Sequence, residues 1–369
     1  MFTQLSVSGT AFLRMSSLTQ VWRSPWLAPF NDVTALNDLL GQVNATWSLD
    51  QIKARVLAVR NETPDTKTFV LRANRRWPGH AAGQHVVLEV EADGVRRHRT
   101  FSIASTPDGS RVIHLTVKRQ PQGKVTGWMH DCLRPGMVVG LSPPQGAFTL
   151  PRRAPQRLLL LSAGSGVTPL KALLGQLQLA GYSGDIRWVQ VSRQPQDAIF
   201  SAELERLAEQ WPALKLERWY TARQGRLDLG TLASLVPDLA RRETLMCGPA
   251  DFMHTVREYF LARGWPAPRS ESFGLPRIVS HEASAPQTVH AKISKQVFTA
   301  QPGASLLEQA EIAGLKPKHG CRIGICQTCK CVKHAGTVRN LLTGAVSSEP
   351  GELIQLCINT AVSELSLEL

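Results

Sequence analysis

The sequence predicts a multidomain chain: an antiparallel β barrel, then a doubly wound parallel α/β sheet, then a compact unit built around clustered thiols. Three observations predict it. From Gln51 to about Leu150, short alternating runs such as His85–Val90 and Val112–Val117 are separated by Pro/Gly turns, the pattern of half-buried antiparallel strands. After Arg157 the texture changes to an apolar run, Leu158–Leu161, a glycine turn, a helical stretch at Leu170–Ala180 and another strand-like run at Ile186–Val191. Strands alternating with helices imply a parallel sheet. Finally, four of the seven cysteines fall within residues 321–331. A chain of 369 residues is too long for one core and suits two or three units of about 100–200 residues each.

The expected divisions are an N-terminal extension (1–50), the barrel (51–152), the α/β unit (153–274), a linker (275–287) rich in Pro, Ser and Ala, and the terminal unit (288–369). The extension shows amphipathic character over Val33–Val43 and carries no recognisable chemistry. No apolar run approaches the ~18–20 residues of a membrane span, and residues 1–30 lack the apolar stretch and cleavage site of a secretory signal. Seven cysteines, an odd number with four of them clustered, fit a reducing cytoplasm, where thiols bind metal more often than they pair. Lys plus Arg outnumber Asp plus Glu by 42 to 29, a net charge of +13, which favours an acidic partner or an anionic surface. The basic residues are dispersed, without interleaved aromatics or a reading helix, so nucleic acid is not the expected partner.

Cys321, Cys326 and Cys329 are spaced C-x4-C-x2-C, with Cys357 following in a strand-like context. This is the spacing of plant-type [2Fe–2S] sites. Three thiolates come from one tight loop and a fourth closes the cage, while Gly320 and Gly324 let backbone amides approach the sulfurs. A zinc site would ordinarily offer two paired knuckles, and Cys357 has no near partner. Cys331 falls outside the spacing and is expected to pack in the loop; Cys132, isolated, is expected in the core. The terminal unit resembles a plant-type ferredoxin domain, which implies an α+β β-grasp fold, and residues 301–310 resemble that family's helix after the first hairpin. Over 289–369 the unit carries eight Lys/Arg and six Asp/Glu, so the acidic docking face typical of such ferredoxins is not expected.

Arg99-Thr100-Phe101-Ser102 resembles the R-x-Y-S motif of the ferredoxin-reductase family. The resemblance assigns Arg99 to a flavin phosphate, through bidentate guanidinium contacts. Phe101 would pack on the isoalloxazine without the usual phenol, and Ser102 would lie near the flavin N5. Ala82-Gly-Gln-His85 upstream resembles the family's G-Q-[YFH] turn. Downstream, Gly123-Lys124-Val125-Thr126 resembles its phosphate turn at a helix start, where free amides attract anions. The same resemblance favours FAD over FMN.

Gly164-Ser-Gly166-Val-Thr168-Pro169 follows a buried strand and opens a helix. Its glycines let the backbone approach a pyrophosphate, and proline suits a first helical turn. It lacks the third glycine of the Rossmann fingerprint and instead resembles the reductase family's G-x-G-x-T-P. Cys247-Gly248-Pro249 resembles that family's turn beside the nicotinamide. Glu271-Ser-Phe273 resembles its terminal E-x-F, which places the carboxylate and the aromatic against the flavin. At the end of the second strand an acid would read ribose hydroxyls and a base a 2′-phosphate; Ser192-Arg193, with Arg223 and Arg226 further on, predicts NADPH.

A hydride carries two electrons and a [2Fe–2S] cluster accepts one; a flavin bridges the two. Barrel, nucleotide unit and C-terminal ferredoxin, in that order, resemble the reductase components of bacterial oxygenase and desaturase systems. The long lead-in, Phe69–Arg72 and Trp77–His80 resemble most the reductases of membrane di-iron acyl-lipid desaturases. The expectation is therefore an NADPH-dependent, monomeric electron donor to such a desaturase or hydroxylase, cytoplasmic, with at most peripheral membrane contact. The alternatives are the NADH-dependent reductase of a soluble ring-hydroxylating dioxygenase or monooxygenase, and, from another class, an iron–sulfur redox-sensing regulator.

Overall fold

Six antiparallel strands make the first sheet in the computed structural model, which describes residues 33–92, 95–121, 123–151, 153–272, 285–320, 324, 328–342 and 344–369. They are β1 (Ile52–Thr63), β2 (Thr66–Ala73), β3 (His85–Ala92), β4 (Val95–Ser102), β5 (Val112–Lys118) and β6 (Val138–Leu141), in the order β4-β3-β6-β1-β2-β5. The ends of this sheet meet at an Ile103–Leu115 bridge, which curls it into a barrel. Alternation on each strand sends Phe69, Leu71, Val86, Leu88, Ile113 and Leu115 into one apolar core. Each such side chain contributes about 1.5–3 kcal/mol on burial.

The parallel sheet is β7 (Arg157–Ala163), β8 (Asp185–Ser192), β9 (Leu214–Tyr220), β10 (Glu243–Gly248) and β11 (Arg269–Ser272), in the order β11-β10-β7-β8-β9. The chain leaves β7 toward β8 on one side and later returns to β10 on the other, so a crevice opens at the carboxyl ends of β7 and β10. β7 is buried on both faces over Leu158–Ala163, which is why it reads as an unbroken apolar run. The following helix, Val167–Leu179, begins three residues earlier than the periodicity suggests. Barrel and sheet share a core: Ala82, Ala104 and Phe148 pack with Leu170, Leu173 and Leu174. Contact is close enough that a Cβ on Gly175 would lie 1.9 Å from the Thr106 hydroxyl, and one on Gly83, at φ +85°, 1.9 Å from the Phe148 carbonyl.

The C-terminal unit has its own core. Its main sheet contains β12 (Gln287–Ala291), β13 (Gln296–Ala300), β14 (Lys330–Ala335), β17 (Glu352–Gln355) and β19 (Leu365–Leu367), ordered β13-β12-β19-β14-β17. Strands β15 (Val338–Asn340), β16 (Val346–Ser347) and β18 (Asn359–Ala361) form a small second sheet. Lys333 is wholly buried on β14, its ammonium donating to the carbonyls of Gly336 and Glu349 at 3.0 and 2.6 Å. Three expectations need correction. The helix spans Leu306–Ile312, not 301–310, because Pro302-Gly303 forms a turn and Ser305 caps the helix by accepting from the Glu308 amide. Cys357 sits in a 3₁₀ turn, Leu356–Ile358, instead of a strand. Cys132 ends the Lys124–Cys132 helix with its side chain exposed, since that helix buries Val125, Thr126, Met129 and His130 instead.

Candidate functional site

One cavity of about 410 Å³ joins motifs that the sequence holds apart. Arg99, Thr100, Phe101 and Ser102 line it from β4, and Thr116, Val117 and Lys118 from β5. Gln120, Gly123, Val125 and Thr126 come from the next helix start, and Ser165 and Thr168 from the nucleotide unit. Gly123 is the N-cap, and no side chain caps the helix, so its first-turn amides stay available to an anion. The Thr126 hydroxyl donates to the Gly123 carbonyl and accepts from the Gln120 amide, which fixes the turn. A Cβ on Gly123 would lie 2.5 Å from that hydroxyl. The Thr100 hydroxyl is buried without a partner. A cationic rim, open amides and a waiting hydroxyl fit a phosphate-bearing, largely apolar ligand such as a flavin. Lys124 is exposed and does not line the cavity.

Glu271 crosses from the nucleotide unit to the barrel. Its Oε1 pairs with His85 Nδ1 at 2.8 Å and its Oε2 accepts from the Ser102 hydroxyl at 3.1 Å. Register places Glu271 beside Cys247 on the neighbouring strand. Burial, and secondarily the Glu271 charge, push the Cys247 thiol well above its ordinary value. The thiol therefore stays neutral. Ser102, Cys247 and Glu271 are thus brought to one place. Phe273 lies outside the described residues.

The two glycines of the nucleotide turn do different jobs. Gly164 has φ +55° and open space where a Cβ would point, so its backbone can face a pyrophosphate. Gly166 is packed: a Cβ there would lie 1.9 Å from the Cys247 carbonyl. Thr168 donates to the Ser165 carbonyl, and both Thr168 and Pro169 are buried in the helix start. Gly248 closes against the Ala163 methyl at 2.9 Å from a would-be Cβ, and Pro249 caps the Ala250–Ala262 helix. Ser192 is buried at the end of β8, its hydroxyl donating to the Gln194 carbonyl. The Arg193 carbonyl accepts from the Ala222 amide at 2.8 Å, which sets exposed Arg193 and Arg223 on adjoining segments.

At the cluster, the sulfurs of Cys329 and Cys357 lie 3.2 Å apart. That is too long for a disulfide, at about 2.05 Å, and suits two thiols converging on one iron. Their hydrogen bond holds the Cys329 thiol down at about 6. Gly324 adopts φ +83°, and its carbonyl accepts from the Gln355 side chain at 2.8 Å, tying the loop to the strand that leads into Cys357. Cys321 and Cys326 lie outside the described residues. Cys331 points into the core, and burial pushes its thiol up to about 11; it is not poised as a ligand. Sequence reasoning missed His85 as the partner of Glu271, and Ser165 as a wall of the barrel's cavity.

Comparison with known proteins places these features in a family. The chain matches the oxidoreductase FAD-binding domain over residues 53–150, the oxidoreductase NAD-binding domain over 160–258 and the 2Fe-2S iron-sulfur cluster binding domain over 289–357. It belongs to the ferredoxin-reductase-like oxidoreductases that carry a C-terminal [2Fe–2S] domain. It is 33 % identical over 340 residues to an NADPH oxidoreductase of Mycobacterium tuberculosis, covering 90 % of this chain and 88 % of that one. It is 30 % identical over 344 residues to the glycine betaine monooxygenase reductase subunit of Pseudomonas aeruginosa, covering 85 % and 94 %. Phthalate dioxygenase reductase shares the fold at a TM-score of 0.59 and 24 % identity, over 87 % of this chain and 98 % of the other. The cofactors of this chain are FAD, NAD(P)H and a [2Fe–2S] cluster, and its activity is that of an NAD(P)H-dependent oxidoreductase of the ferredoxin-reductase type.

Proposed function

We propose that the chain takes electrons from NADPH and passes them to a membrane di-iron desaturase or hydroxylase. Exposed Arg193 and Arg223, on adjoining segments after β8 and β9, carry the nucleotide choice: a guanidinium there suits a 2′-phosphate where an acid would suit ribose hydroxyls. The 33 % identical relative named for NADPH supports it. A charge of +13 supports an acceptor at an anionic bilayer.

Bound FAD supplies conversion of a two-electron hydride into single electrons for the cluster. The residues of this chain do the rest. Arg99 and the amides of Lys124, Val125 and Thr126 hold the flavin phosphates, Phe101 covers the ring, and Thr100 finds the partner it lacks. Gly164 presents its backbone to the nucleotide pyrophosphate, Gly166 lets the turn close on Cys247, Thr168 and Pro169 fix the helix start behind it, and Gly248 and Pro249 shape the nicotinamide's seat. Ser102 and Glu271 hold a hydrogen-bonded proton beside the reacting atoms, and neutral Cys247 adds no second negative charge. Phe273 is assigned to the flavin's other side. Cys321, Cys326, Cys329 and Cys357 ligate the cluster.

A second reading has its own support. The relative named as a glycine betaine monooxygenase reductase subunit favours an oxygenase as acceptor, and the reading is then the NADH-dependent reductase of a soluble one. Anaerobic stopped-flow reduction by NADPH and NADH separates the two. Faster flavin and cluster bleaching with NADPH, reduced to parity in Arg193→Ala, is expected. Faster reduction by NADH, together with turnover of a soluble oxygenase unaffected by lipid, would establish the alternative.

A further inference from the structure

The lead-in to the barrel has a face that the reductase chemistry does not use. Five of the fifteen exposed large apolar side chains among the described residues, Val33, Leu39, Val43, Trp47 and Leu49, lie within 17 residues of one another. The Val33–Val43 helix buries none of its residues. The segment is nevertheless held in place. The Asn74 side chain donates to the carbonyls of Thr46 and Gln51, Arg76 donates to the Ser48 carbonyl, and Arg55 reaches Asn44. Between segment and barrel lies an open cavity of about 710 Å³, lined by Leu40 and Trp47 on one side and by Arg75, Arg76 and Arg111 on the other, with no acid in its wall. Asp38 and Asp50 sit on the segment itself, and Asp50 is bonded to Asn37.

We propose that this face, the Val33–Leu49 segment with Arg75, Arg76 and Arg111, is a peripheral docking surface for an anionic lipid bilayer. The argument is charge complementarity joined to amphipathic shape. Aliphatic side chains and a half-exposed indole enter the headgroup boundary, and arginines beside them pair with lipid phosphates. A docked protein would reach its acceptor by two-dimensional search. The inference deepens the membrane-acceptor reading above, yet its test needs no acceptor, so either can fail alone.

The test is cosedimentation of the holoprotein with vesicles of phosphatidylcholine, alone or mixed with phosphatidylglycerol. Retention is expected on the anionic vesicles only and is lost at high salt. Arg75→Ala/Arg76→Ala/Arg111→Ala should weaken it about 100-fold, from about fivefold for each basic residue removed, about 1 kcal/mol apiece. Trp47→Ser should weaken it independently. Removing three exposed basic residues elsewhere, Arg206→Ala/Lys215→Ala/Lys292→Ala, should change it little. NADPH–ferricyanide turnover, unchanged in every variant, shows that each is folded. The proposal is overturned by any of three results: no retention on anionic vesicles; undiminished retention of the triple-arginine variant, which would move binding to another part of the chain; or equal loss in the control variant, which would make the effect one of net charge.

Discussion

The flavin crevice and the cluster unit solve the same problem, positioning a redox group, by opposite means. In the crevice, the deciding contacts run between domains: Glu271 of the last parallel strand holds His85 and Ser102 of the barrel, 186 and 169 residues away. In the cluster unit they run within about 80 residues, and the loop is tied by Gln355 to the turn carrying Cys357. The crevice therefore depends on how two folded bodies pack, whereas the cluster depends on one small body alone. Damage to either should leave the other's spectrum intact.

The largest break is expected from Cys329→Ser. It removes one of two sulfurs 3.2 Å apart, so cluster absorbance and electron delivery to an acceptor served by the cluster fall to background. Flavin reduction by NADPH should continue at its normal rate in stopped flow. Loss of flavin reduction in that variant would mean that the two regions are not independent.

Glu271→Gln attacks the other side. It keeps the shape and removes the charge shared by His85 and Ser102, and flavin reduction should slow by about 10²-fold or more, the scale of a positioned proton-transfer group. The iron content and cluster spectrum should not change. Next comes a paired test inside the crevice. Gly166→Ala forces a methyl against the Cys247 carbonyl, 1.9 Å from its ideal position, and should destabilise the nucleotide unit by about 1–3 kcal/mol, as overpacking does. Gly164→Ala has room but an unfavourable φ of +55°, so it should cost only about 1 kcal/mol while raising KM for the nucleotide. Urea melts and steady-state kinetics on the two variants separate packing from ligand approach.

The last test concerns acid stability, away from both redox groups. Arg242, buried at the N-terminal end of the parallel sheet, bonds Asp185 at 2.7 Å and Asp238 at 2.6 Å. These hydrogen bonds hold both carboxyls below the usual carboxylate range. Because the folded values are depressed, the stabilisation is complete above the unfolded value of about 3.9 and disappears as pH falls through the lowered folded ones. Arg242→Met should lower stability at neutral pH by about 1.5–3 kcal/mol. In urea melts, the gap from the native protein should close on acidification below about pH 4.

Much of this arrangement is readable in the chain because it is local. The Arg99–Ser102 strand, the Gly123–Thr126 helix start and the Gly164–Pro169 turn each carry their chemistry in consecutive residues, and strand and helix periods place them. What the sequence does not display is nonlocal. Nothing near His85 announces Glu271, and nothing near Ser165 announces that it walls a cavity in the barrel; both follow from the seam where Gly83 meets Phe148 and Gly175 meets Thr106. Cys132 misleads for a related reason. Its helix turns Met129 and His130 inward, and an isolated thiol gives no sign of which side of that helix it occupies.

The strand order of the C-terminal sheet bears on synthesis. β19, which follows every other strand of that sheet in chain order, lies in the middle of it, parallel to β12 and antiparallel to β14. Until residues 365–367 have been made, β13-β12 and β14-β17 are two separate strand pairs with no shared sheet. The barrel and nucleotide unit are complete nearly a hundred residues earlier. Synthesis therefore completes the reductase units before the sheet of the cluster unit can close, and a variant lacking residues 365–367 would be a flavoprotein that still consumes reduced nucleotide while its cluster unit is left as two unjoined strand pairs.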